Sequence, residues 1–189
     1  MKLIEKLYVT PHAFGRLADR VYSSPKTVEL VVKKGLTEVP TKYEIAENAL
    51  RLIMKCGVYF AFPINNVGNE VYGVPMRIEI GNCDIVVMMT LAIVKEENLS
   101  GEGAYLATFL PYKRLNRLNP AGITIELRPE EIHLYRPSVK LSHPSTKPEH
   151  PITWQDLSAI VEELSKEYGI PIYRKQKVEA TLKLKTLQA

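Results

Sequence analysis

Two cysteines in 189 residues, Cys56 and Cys83, are too few for a disulfide framework, and their spacing matches no metal-ligand pair. Both lie in apolar stretches, which predicts buried free thiols. Long hydrophobic runs are missing too. The longest, Ile85 to Val94, is interrupted by Thr90 and has only about half the length of a membrane helix. It reads as a buried strand, and no membrane partner is expected. There is no glycine-rich phosphate loop, since Gly68, Gly73 and Gly81 each punctuate a strand or turn. In the opening Met1-Lys2-Leu3-Ile4-Glu5-Lys6, charged residues interrupt any apolar run before it could form a signal sequence, which predicts a cytoplasmic protein. His133, His143 and His150 lack the close spacing that zinc ligands need. The adjacent pairs Glu96-Glu97 and Glu130-Glu131 point their side chains apart and form no carboxylate dyad. No metal and no cofactor are expected. Glutamine occurs only three times, against plentiful Lys, Glu, Tyr, Ile and Pro, a bias compatible with a thermophilic source.

What is present is an ordinary globular composition, 46% hydrophobic and 24% charged. A chain of this length buries enough surface to fold without a staple. The net charge of +4 is unevenly placed: residues 1–100 hold 12 basic and 11 acidic side chains, and residues 101–189 hold 13 and 10. The surplus gathers in two clusters. Lys113, Arg114 and Arg117 form one, and Arg174, Lys175 and Lys177 the other. Cations concentrated in this way release counterions when they meet a polyanion, so these six residues, with Arg20, are the candidate nucleic-acid contacts. A solvated face has the same composition.

Local signals divide the chain into elements. Thr10-Pro11 opens a first helix whose Phe14, Leu17, Ala18 and Val21 recur at helical spacing, leaving His12, Arg16, Asp19 and Arg20 on the other side. Ser24-Pro25 opens a second helix closed by Gly35, and Thr41 with Glu44 makes a capping box for a third that runs to Gly57. The period then changes to that of strands: 58–62, 77–80, 85–94, 105–110 and 123–127, with Gly81-Asn82 as a hairpin turn. Residues 136–151 hold four prolines and read as a connector. Beyond it Thr153 caps a helix with a stripe of Leu157, Ile160, Val161 and Leu164, followed by strands at 170–174 and 180–185. The expected architecture is α+β: N-terminal helices packed on an antiparallel sheet in residues 1–135, a connector over 136–151, and a small C-terminal αββ unit in 152–189.

His12 is the leading candidate for chemistry. It falls in the first turn of a helix, where free N–H groups attract an anion, and Arg16 and Arg20 follow on the same stripe. An imidazole that titrates near neutrality, beside a guanidinium that grips phosphate with two hydrogen bonds, suits metal-free RNA cleavage. The segment Thr10-Pro11-His12-Ala13-Phe14-Gly15-Arg16, with the Ala-Asp-Arg that follows, resembles the His-Ala-x-x-Arg helix of the barnase/EndoU/colicin/RelE-like ribonuclease group. That group sets one or two leading helices before a small antiparallel sheet. The resemblance implies a toxin-type or phage-type endoribonuclease with His12 and Arg16 at its site and Thr90 in the place of a polar residue on a late strand. Tyr59, Tyr72 and Tyr112 remain open as second proton-transfer groups. The alternative is a non-catalytic nucleic-acid-binding or assembly protein, of viral or mobile-element origin. RNA is then the partner, or a protein or second copy docked through the C-terminal unit.

Overall fold

The structure is a computed structural model that describes residues 1–64, 70–94, 102–112, 121–135 and 147–175. In chain order it comprises β1 (Lys2–Val9), α1 (Pro11–Ser23), α2 (Pro25–Lys34), a single 3₁₀ turn (Leu36–Glu38), α3 (Lys42–Met54), β2 (Gly57–Ile64), β3 (Val71–Ile80), β4 (Cys83–Val94), β5 (Glu102–Pro111), β6 (Ile123–Tyr135), α4 (Trp154–Tyr168) and β7 (Ile172–Lys175). The strands hydrogen-bond in the order β1-β5-β4-β3-β2-β6, and β6 pairs back to β1, so six strands close into a barrel with β7 added beside β6. β2, β3, β4 and β5 pair antiparallel, whereas β1 runs parallel to both β5 and β6.

This corrects the expectation of N-terminal helices packed on an antiparallel sheet with a small C-terminal αββ unit. The sheet is mixed and closed, β7 is one of its strands, and α4 packs into the same core. The closing strand is β1, which the local sequence signals did not register as a strand at all. Its burial runs Ile4, then Leu7, Tyr8 and Val9, because its register slips between Ile4 and Lys6 against both neighbours. The bulge breaks the two-residue alternation by which a strand is recognised. β6 is long enough to serve two neighbours in turn: its first half pairs with β2 and its last residues, Ile132 to Tyr135, pair with β7.

Alternation along the strands separates two faces. On β3, Val74, Met76, Ile78 and Ile80 are buried, while Arg77 and Glu79 between them are exposed. The residues buried on one face of all six barrel strands join the apolar sides of α1, α3 and α4 in one continuous core. A smaller cluster of Tyr8, Val71, Ala92, Tyr105 and Ala107 lies on the opposite face of the sheet. Ser24, Thr41 and Thr153 each accept a hydrogen bond from the backbone N–H three residues on, capping α2, α3 and α4. Gly169 ends α4 in the left-handed conformation that favours glycine. Both cysteines are free, and Cys83 is buried. Cys56, expected to be buried, is exposed: it follows the end of α3 and turns the chain into β2 with a φ of +59°.

Candidate functional site

α1 leaves β1 directly and packs along β4 and β5, with Phe14 against Phe109 at 5.9 Å between ring centres. Thr10 stands at its N-cap without a side-chain capping bond; its hydroxyl instead meets that of Tyr105, whose pKa is raised by burial. The first turn of α1 therefore keeps N–H groups that no side chain of the cap satisfies.

His12 lies in that turn, partly buried. Its pKa is lowered from 6.5 to about 4, first by burial and then by the charge of Arg16, with Asp19 opposing. The imidazole is therefore neutral at neutral pH. Arg20 is partly buried and donates from Nε to the Phe109 carbonyl at 3.1 Å; burial and the charge of Arg16 lower its pKa as well. So the structure gathers His12, Arg16 and Arg20 on one helix.

The sequence reading placed Arg16 and Asp19 on the solvent side of that helix, but both are only 8% exposed. They are covered because residues 147–151 lie across α1. A Cβ built on Gly15 would come within 2.8 Å of Pro148, so glycine is what lets this segment approach. Asp19 holds it there: one carboxylate oxygen accepts from the Glu149 backbone N–H at 3.0 Å, and the other accepts from the His150 N–H at 2.8 Å and meets His150 Nδ1 at 2.9 Å. Arg16 Nη1 lies 3.6 Å from the same carboxylate. His150 in turn packs on the ring of Tyr22 at 4.7 Å. The signal for this clasp was partly present, since Arg16 and Asp19 are spaced i, i+3, but its partners lie about 130 residues away in sequence.

Thr90 sits in β4 opposite Thr108 of β5. Both are buried, at 1% and 2% exposure, and among the described residues neither hydroxyl has a hydrogen-bond partner. Thr90 is enclosed, unlike the partly exposed His12. Of the tyrosines left open, Tyr59 and Tyr72 have pKa values raised chiefly by burial, with Tyr72 also donating to Glu70 at 2.7 Å, and Tyr112 is 45% exposed. Arg174 is exposed on β7 and bonds Ser158 at 3.0 Å and Glu162 at 3.2 Å. Lys175 is the last residue of β7. Lys113, Arg114, Arg117 and Lys177 lie outside the described residues, as do His143 and the strand expected at 180–185. Among the described residues no group of His, Cys, Asp and Glu is arranged to hold a metal, and no helix is long and apolar enough to cross a membrane.

Sequence reasoning passed over a second constellation. Tyr8, His133 and Tyr173, on β1, β6 and β7, stack ring on ring at 4.6 Å and 4.9 Å. Comparison with protein-family models, curated proteins and solved structures gives no match.

Proposed function

We propose that the protein is a metal-independent endoribonuclease in which His12 accepts the proton of the attacking 2′-hydroxyl. The observation that carries this reading is the place of His12, partly buried in the first turn of α1 with Arg16 one turn on: its lowered pKa, about 4, leaves the imidazole unprotonated at neutral pH, as a general base must be, though a weaker base than one titrating near neutrality. The uncapped first turn of α1 offers N–H groups for the phosphate, and Arg16, one turn on, with Arg20 a turn further, supplies the positive field that favours charge developing there. Thr90 has no direct part in this arrangement, since its hydroxyl is enclosed.

The test is cleavage of single-stranded RNA in EDTA. His12→Ala is expected to lose about 10²- to 10⁴-fold in rate, and the wild-type rate to be level at neutral pH and fall as pH drops through about 4. An RNA left intact by the wild type, or cut equally fast by His12→Ala, removes the proposal. One observation favours the non-catalytic alternative: the Asp19 carboxylate engages Arg16 and residues 149–150 together, so the polar face of α1 also works as an internal clasp. Under that alternative, Asp19→Ala loosens residues 147–151 and no His12 variant changes any reaction.

A further inference from the structure

α2 is the least buried helix of the fold. Of its ten residues only Thr27 is buried, whereas α1, α3 and α4 each bury at least four. A helix of this length is marginal by itself in water, and most helical stability in proteins comes from packing an apolar face. α2 is anchored at its start, where Thr27 Oγ1 meets Ser24 Oγ at 2.9 Å and Cys83 Sγ at 3.7 Å, and Leu30 and Val31 are half-buried. Its outer side carries Val28 and Val32 at 51% and 80% exposure, with Leu36 just past the helix end at 76%. Val28 and Val32 are one turn apart and so lie on one stripe. Apolar residues scattered singly over a surface need no explanation, but neighbours on one exposed face mark an interaction site.

The charges beside the stripe indicate what covers it. Glu29 follows Val28 and Lys33 follows Val32, so the two charged residues line the same flank of the stripe. They pair with each other at 2.6 Å while their side chains stay 63% and 67% exposed. In an antiparallel pair of identical helices the same flank of each meets the other, whereas in a parallel pair opposite flanks meet. Laid antiparallel on a second copy, with Val28 against the partner's Val32, α2 therefore brings Glu29 beside the partner's Lys33 and Lys33 beside the partner's Glu29. The surface is self-complementary in both shape of pattern and sign of charge, as a twofold contact requires.

We propose that the outer face of α2 is a self-association surface on which two copies of the chain meet antiparallel about a twofold axis. This goes beyond the ribonuclease reading and holds whether or not RNA is cut. One helix face is small against the about 800 Å² per partner of a standard interface, so the dimer is a weak one, and sedimentation equilibrium is measured from about 10 μM to about 1 mM. The wild type is expected to pass from monomer to dimer in that range. Val32→Glu, which sets a charge in the middle of the apolar stripe, should weaken the dimer at least about tenfold. Lys33→Glu leaves only acidic groups facing each other across the axis and Glu29→Lys only basic ones, so each alone should weaken it about threefold or more. An equimolar mixture of those two variants sets an acidic flank against a basic one and should associate more tightly than either component. All three positions are exposed, so folding should survive each change, as unchanged circular dichroism will show. A wild type that stays monomeric throughout, a dimer unmoved by Val32→Glu, or a mixture no tighter than its components would each overturn the inference. A monomeric wild type that co-sediments with phosphatidylserine vesicles would give the face to an anionic lipid surface instead.

Discussion

At His12 the same burial that prepares a base also sets an acid limit on stability. Its folded pKa of about 4 lies below its ordinary value of 6.5, so between these pH values the unfolded chain holds a proton that the folded chain does not. Stability therefore falls as pH drops from about 6.5 to about 4, and His12 contributes no further loss below that. Urea midpoints across this window should fall less steeply in His12→Gln than in the wild type; parallel slopes would show that His12 titrates normally in the folded state. Thr90 and Thr108 pose the opposite case. Their hydroxyls are enclosed and, among the described residues, without hydrogen-bond partners, a condition that costs about 1–3 kcal/mol per group, whereas an apolar group of the same shape carries no such penalty. Thr90→Val and Thr108→Val should each raise the unfolding free energy by about 1 kcal/mol, read from denaturant curves with unchanged m-value. A loss in either variant would mean that the hydroxyl has a partner, such as an ordered water.

Among the elements, the contact of α1 with residues 147–151 turns on a single hydrogen atom. Gly15→Ala adds helix propensity worth about 1 kcal/mol, yet the new methyl meets Pro148 at 2.8–3.0 Å and the Pro151 backbone at 3.2 Å. Overpacking of this kind costs about 1–3 kcal/mol and acts against rigid proline rings. Net destabilisation is expected, with amide exchange accelerating first at Glu149 and His150, whose N–H groups depend on Asp19. The helices themselves were legible because their signals are local: Ser24, Thr41 and Thr153 cap where the sequence places them. Thr10 was read equally well as an N-cap position, but Tyr105, ninety-five residues on, meets its side chain. β1 escaped for the same reason at larger scale. Its residues acquire meaning only from Glu102–Tyr105 and Ile125–Leu134, the strands they join. His12, Arg16 and Arg20 were visible as one stripe of a helix, whereas the burial of Arg16 depends on a segment that no local pattern brings to it.

Across the whole molecule, closure and packing tie distant parts of the chain into one cooperative object. Leu157, Ile160, Val161 and Leu164 of α4 are each 0–1% exposed and share their core with Leu50 and Ile53 of α3 and with the helix-facing residues of the barrel. Arg51 of α3 bonds Glu167 of α4 at 2.6 and 2.7 Å, and β7 completes the connection through β6. A helix joined to the barrel through buried apolar contacts loses them only when the barrel's own core opens, so both should melt in one step. Trp154, the single tryptophan, sits at the start of α4 and reports that helix, while far-UV circular dichroism reports strands and helices together. The two signals should give coincident denaturation curves. Leu164→Ala removes a fully buried side chain from the shared core, a change that costs about 2–5 kcal/mol, and it should displace both curves equally. Were the tryptophan transition to come first, or to shift alone in Leu164→Ala, α4 and β7 would be an appendage that unfolds while the barrel stands. With the apolar stripe of α4 buried as it is, the loss at Leu164 should instead reach β1, the strand that closes the barrel.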